Sequence, residues 1–78
     1  MKIYPNPVHN TLYIHGKKEL HKPLRAQLFD VDGQMLKEVF SFQNDFMMDV
    51  SNFKAGVYML KLYNGYDLEL QVEKIIKQ

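Results

Sequence analysis

No cysteine occurs among the 78 residues, so neither a disulfide nor a thiolate metal site can supplement the core. The fold must rest on apolar burial and strand pairing. That absence is silent about redox compartment, since disulfides need not be present in oxidising places. Long apolar runs are missing too. No stretch approaches the length of a membrane-spanning helix, and Met1-Lys2-Ile3-Tyr4-Pro5 breaks too early for the apolar region of a signal peptide. This stretch therefore does not direct its own passage into the secretory pathway. Charge of one sign is also lacking: ten basic residues stand against nine acidic ones, with neither sign in a long block. The one local basic cluster, Lys17-Lys18 with Lys22, is interrupted by Glu19 and has no arginine-rich or aromatic stacking pattern beside it. It reads as a solvated loop, which excludes a nucleic-acid footprint. The four glycines are isolated turn positions rather than a phosphate-cradling loop before a helix.

What is present is enough to fold. Apolar residues make up 46% of the chain and aromatics 13%, too much for a disordered tail. The length allows one domain, spanning residues 1–78. A chain this short buries only about 60–65% of the surface its unfolded form exposes, so its stability should be modest.

Short apolar runs separated by turn residues at intervals of about ten are an all-β pattern, and no segment carries a convincing helix. In Ile3-Tyr4-Pro5-Asn6-Pro7 two prolines hold the backbone extended and remove two amide donors, which suits a sheet edge. Thr11–His15 alternates, with Leu12 and Ile14 on one face and Tyr13 and His15 on the other. Leu24–Leu28 alternates cleanly before Phe29-Asp30-Val31 shifts phase, as a bulge would. Asp32-Gly33 predicts a two-residue hairpin turn with positive φ at both positions, returning the chain antiparallel over Gln34–Phe40. Phe46, Met48 and Val50 share one face of the next strand. After a loop over Ser51–Gly56, Tyr58, Leu60 and Leu62 form the buried phase of a strand from Val57 to Tyr63. Asn64-Gly65 predicts a second hairpin turn. Tyr66, Leu68, Leu70 and Val72 then alternate with Asp67, Glu69, Gln71 and Glu73, which predicts a buried apolar face and a wet acidic one. Lys74–Gln78 continues that strand. Six to seven short strands in two packed antiparallel sheets, an immunoglobulin-like β-sandwich, are the expected architecture. A small barrel is the alternative, because the pattern sets inside and outside but not closure.

No constellation for catalysis, metal or cofactor emerges. His9, His15 and His21 have no spacing that makes them converge as zinc binding requires. Asp30-Val31-Asp32-Gly33 resembles the start of a calcium loop, but Ser41 stands where the closing glutamate is needed. Ser41 and Ser51 lack a nucleophile elbow and read as turn residues. Asp67, Glu69 and Glu73 lie along one strand rather than across a cleft. Tyr4, Tyr13 and Tyr63 fall on the exposed phase of their strands, where ordinary cross-strand packing competes with a binding platform.

Taken in order, Tyr4-Pro5-Asn6-Pro7, Leu28-Phe29-Asp30 with Gly33, Phe53 followed by Ala55-Gly56-Val57-Tyr58, and a late lysine resemble the C-terminal sorting domain of type IX secretion cargo. The resemblance runs from about Ile3 to Gln78. It implies a non-enzymatic address label at the end of a larger exported protein in gram-negative bacteria of the Bacteroidota type. The partners it implies are the outer-membrane translocon with its shuttle and sortase components, and an upstream passenger domain. The implied route crosses the periplasm to the cell surface or the medium, with removal by a sortase-like peptidase upstream of the domain. Carried over by position, Pro5, Asn6 and Pro7 match the opening motif, Gly56 and Tyr58 the penultimate motif, and Lys74 with Lys77 the terminal lysine. Each has a structural alternative. The prolines can end an edge strand, Gly56 can supply positive φ, and Tyr58 should face the core. For Lys74, Lys77 and the last strand, an open sheet edge would offer unpaired backbone groups to a receptor or to a second copy in an edge-strand dimer. Because Met1 stands almost on the opening motif, a domain separated from a longer protein is expected. The competing function is a surface module of the same sandwich class that binds carbohydrate or protein through its exposed tyrosines.

Overall fold

The period-two alternation becomes seven strands in the computed structural model, which describes residues 1–16, 23–65 and 68–78 and contains no helix among them. Strands β1 (Lys2–Tyr4), β2 (Thr11–His15) and β5 (Asp45–Asp49) form one sheet in the order β1-β2-β5. Strands β3 (Leu24–Phe29), β4 (Met35–Ser41), β6 (Gly56–Asn64) and β7 (Leu68–Lys77) form the other, in the order β4-β3-β6-β7. Every neighbouring pair of strands is antiparallel. The two sheets pack as a sandwich because each strand has one apolar face to remove from water.

The buried layer follows that alternation. Leu12 and Ile14 on β2 and Met48 on β5 meet Ala26 and Leu28 on β3 and Leu60 and Leu62 on β6, all at 1% exposure or less. Burying each large side chain of this set contributes about 1.5–3 kcal/mol. Side-chain staples close the two open sides. On one, the Lys37 ammonium of β4 donates to the Asp49 carbonyl of β5 (2.8 Å). On the other, the Gln71 amide of β7 donates to the Met1 carbonyl ahead of β1 (3.3 Å). Gly16 follows β2 and donates its N–H to Asn44 O (2.7 Å), prolonging the pairing with β5. A Cβ at Gly16 would stand 2.8 Å from that carbonyl oxygen and 2.9 Å from a Leu24 methyl.

The bulge expected near Phe29 is present, as a register shift in the β3–β4 ladder between Leu28 and Phe29. The turn beyond it differs from expectation. Asp30 N donates to Gln34 O (3.0 Å) and Gly33 N to Asp30 O (3.1 Å), so three residues, Val31, Asp32 and Gly33, make the loop. The Asp30 carboxylate accepts the backbone N–H groups of Asp32 (2.9 Å) and Gln34 (3.0 Å). This holds Asp32 at negative φ, and Gly33 alone takes the left-handed conformation, at φ 84°. The Asp30 carboxylate of the calcium-like segment is thus committed to the turn.

A second correction concerns β7. Leu68, Leu70 and Val72 were expected on the buried face, yet they are 58%, 37% and 45% exposed. The β6–β7 register slips between Leu62 and Tyr63, leaving Leu70 without a partner, and one extra residue inverts the facing of a strand on either side of it. Beyond the slip the inward phase is Gln71, Glu73, Ile75 and Lys77, half-buried to buried. A three-stranded sheet does not cover all of a four-stranded one, so polar Gln71 and Glu73 can stand at the flank, hydrogen-bonded to each other (3.1 Å). Gly65 takes the left-handed conformation at φ 70°, but Asn64, expected beside it in the turn, stays in β6 opposite Leu68. Tyr66 and Asp67, like the Lys17-Lys18 and Lys22 cluster and His21, lie outside the described residues.

Candidate functional site

The residues singled out from the sequence lie far apart in the chain, and the fold gathers them around the last half of β7. The chain leaves β1 at Tyr4 and crosses to the other sheet through Pro5-Asn6-Pro7, with cis peptide bonds before both prolines. Neither proline can donate a backbone hydrogen bond. Asn6 supplies the missing donor from its side chain: Nδ2 donates to Lys74 O (2.8 Å), while Oδ1 accepts from Ile76 N (2.9 Å). The carboxamide thus stands in for a peptide group in a strand that two prolines would otherwise leave unpaired. Val8, fully buried, completes the seam. Its N–H donates to Ile76 O and its carbonyl accepts from Gln78 N, both at 2.8 Å, in a parallel bridge opposite Lys77.

The terminal edge is therefore partly occupied by the protein's own opening segment, which corrects the expectation of an open edge over Lys74–Gln78. Ile76 directs its N–H and carbonyl away from β6 and toward that segment. The strand alternation turns the backbone groups of Val72 the same way, and no described residue pairs with them.

From the β6 side, Gly56 stands opposite Lys77 and Tyr58 opposite Ile75. Gly56 begins β6 at φ 156°, outside the range that side-chain-bearing residues favour. Tyr58 faces the core, as expected, at 9% exposure, and its hydroxyl donates to Lys54 O (2.6 Å). Its ring sits 6.1 Å from that of Phe53, so this side chain pins the Ser51–Gly56 loop against the sandwich.

The two lysines have different surroundings. Lys77 is 9% exposed and lies among Val8, Ile75 and Tyr58, with its ammonium reaching out to Gln78 O (2.9 Å). Lys74 is exposed on the outer face, opposite Met59. Around it the outer face carries Val57, paired with Ile76, and Val72, paired with Lys61. Those three aliphatic side chains are 41%, 39% and 45% exposed respectively. The corner thus presents a short apolar row with the exposed Lys74 ammonium in its midst.

The remaining sequence candidates are scattered. His15 pairs with Asp45 across β2 and β5, and His9 is exposed elsewhere. Among the described residues no three metal-ligating side chains come together. Ser41 closes a turn with Gln43, and Ser51 N donates to Asp49 Oδ1 (2.9 Å). Hydrogen bonds from the Ser51 side chain and backbone, helped by the Lys37 charge, hold the Asp49 carboxyl below its ordinary value of 3.8 against a small desolvation. Of the three tyrosines expected on exposed phases, Tyr4 and Tyr13 are exposed and stack on each other (5.7 Å), whereas Tyr63, on the opposite sheet, is half-buried beneath the Arg25 guanidinium (4.6 Å).

Sequence reasoning singled out Pro5, Asn6, Pro7, Gly56, Tyr58, Lys74 and Lys77 but missed the contacts that Asn6 and Val8 make with β7. The signal was legible in part: an asparagine between two prolines is the segment's sole side chain able to both donate and accept. The partner it needs lies 68 residues away and could not be read from spacing. A family model described as a secretion system C-terminal sorting domain matches residues 2–78. Among curated proteins, none matches the chain.

Proposed function

This chain belongs to the C-terminal sorting domain family of type IX secretion, and from that premise we propose that it is an address label that carries a larger cargo protein to the outer-membrane translocon. It performs no catalysis. It is read in the periplasm by the shuttle and translocon components and removed from its passenger by a sortase-like peptidase at a point upstream of the domain. The cargo then reaches the cell surface or the medium. The observation that carries the reading is the family match over residues 2–78; the segments that carry the resemblance, Pro5-Asn6-Pro7, Gly56 with Tyr58, and Lys74 with Lys77, lie together at one corner of the sandwich.

Within that corner the roles divide by accessibility. Asn6, Gly56, Tyr58 and Lys77 build it, since their polar groups or backbones are committed to the fold. Lys74, with the exposed row of Val57, Val72 and Ile76 and the adjacent Pro5 and Pro7, is the part a receptor reads. Apolar side chains around one cation suit an interface with an apolar centre and a charged anchor.

The test is a fluorescent passenger carrying an inner-membrane export signal at its front and this chain at its end, in a host with an intact type IX machine. Passenger on the surface or in the medium, lost in a translocon-deficient strain, is the expected result. Passenger trapped in the periplasm with a folded domain would overturn the reading. For the recognition face, Val72→Ser combined with Lys74→Glu should retain passenger in the periplasm at an unchanged melting temperature. Normal export of that variant would remove the face from recognition.

A further inference from the structure

The outer face of the three-stranded sheet lies on the other sheet from Lys74, and its side chains lie in two ordered rows. Register aligns Lys2, His15 and Asp45 in one row across β1, β2 and β5, and Tyr4, Tyr13 and Met47 in the next. The tyrosine rings stack at 5.7 Å with 23° between their planes, yet remain 49% and 41% exposed. Neither phenol hydroxyl has a partner among the described residues. Beside the rings runs an open groove of about 380 Å³ whose lining joins Tyr4 and Tyr13 to His15, Asp45, Gln43 and Met47. A second hollow, of about 530 Å³, shares Tyr4 and His15 with the first and adds Lys2.

We propose that this face is a carbohydrate-binding site. A pyranose has one face of weakly positive C–H groups and a rim of hydroxyls, and it needs an aromatic surface flanked by groups that both donate and accept. The stacked pair, with Tyr4 49% and Tyr13 41% exposed, supplies aromatic surface for the C–H groups. The His15 imidazole, the Asp45 carboxylate, the Gln43 amide and the two phenols supply the polar rim. A purely apolar partner would leave His15 and Asp45 desolvated beside it, and an anion in the first groove, though not in the second hollow, would meet Asp45. A sugar satisfies both rows. The two hollows meeting at Tyr4 and His15 give room for neighbouring sugar units, and Lys2 in the second favours a unit bearing a carboxylate. Tyr4 adjoins Pro5 of the sorting corner, whereas Tyr13, His15 and Asp45 lie on the other sheet from Lys74, so Tyr13 is the position at which this reading and sorting are told apart.

The experiment is a titration of the ¹⁵N-labelled chain with neutral hexose oligosaccharides and, separately, with uronate-containing ones, followed by amide chemical shifts. Shifts at millimolar sugar confined to Tyr4, Tyr13, His15 and Asp45 and their neighbours are expected. Tyr13→Ala should weaken binding about tenfold, the size of one stacking contact, while Tyr13→Phe retains most of it. Lys2→Ala should weaken uronate oligosaccharides more than neutral ones. Absence of shifts with either set, shifts mapping elsewhere, or binding untouched by Tyr13→Ala in a chain that stays folded would each overturn the proposal. Export of the fusion passenger by a Tyr13→Ala domain should be unchanged, so failure of this site and failure of the sorting reading are told apart.

Discussion

Replacing Asn6 with alanine removes the carboxamide that joins the opening segment to the terminal strand. Two hydrogen bonds go, one to Lys74 O (2.8 Å) and one from Ile76 N (2.9 Å). Each typically contributes about 0.5–1.5 kcal/mol net, so the loss should be about 1–3 kcal/mol. Asn6 is exposed, and water can replace part of what is lost, which places the expectation near 2 kcal/mol. A domain of this length holds only about 4–12 kcal/mol in total, so the change is a large fraction of its stability. The melting temperature should fall by about 10 °C, at roughly 4–8 °C per kcal/mol for a domain of this size. Urea unfolding should show a lower midpoint at an unchanged slope, because the surface exposed on unfolding is the same. Amide exchange supplies the local readout: Ile76 N–H should lose protection selectively, while Leu60 and Leu62 N–H change only with global stability. Asn6→Asp should do no better than alanine, since a carboxylate can accept from Ile76 N but faces the Lys74 carbonyl without a proton. A melting temperature within a degree or two of the parent for Asn6→Ala, with Ile76 still protected, would refute the argument that this side chain closes the sheet edge.

Tyr58→Phe keeps the ring against Phe53 but deletes the 2.6 Å hydrogen bond to Lys54 O, and should cost about 1 kcal/mol by urea titration. Gly56→Ala meets no atom within 4 Å yet forces a side-chain-bearing residue to φ 156°, so a loss of about 1–3 kcal/mol should appear in melting curves without a steric cause. Gly16→Ala acts the opposite way: its Cβ would press on Asn44 O and Leu24, and a loss of about 1–3 kcal/mol from overpacking is expected. The lowered pKa of Asp49 gives a contribution to stability that is present above its unfolded value of 3.8 and lost as pH falls through the lower folded value. Urea midpoints measured downward from pH 5 should therefore drop less for Asp49→Asn than for the parent.

Much of the strand content was legible because period-two alternation is a local consequence of the pleat. Leu12 and Ile14, or Tyr58, Leu60 and Leu62, need no knowledge of the rest of the chain to identify themselves as core. The Asp30 turn and β7 failed for the same underlying reason. In each, a contact outside the pattern changed the answer: a carboxylate accepting two backbone N–H groups in one, an unpaired Leu70 in the other. Alternation reports two faces, and it does not say which of them the opposing sheet will cover.

The motif residues divide along that line. By itself the sequence determined an all-β chain without disulfides, the core phases of β2, β3, β5 and β6, and membership of a sorting family over residues 2–78. Only the tertiary structure decided that Pro5-Asn6-Pro7, Gly56, Tyr58 and the last lysines meet, that Lys77 is buried while Lys74 is exposed, and that the outer face of β7 is mostly apolar. The physical reason is the range of the interactions. Side-chain alternation and turn chemistry act between near neighbours. The hydrogen bonds from Asn6 and Val8 to β7 form only after the chain has closed a loop of about seventy residues.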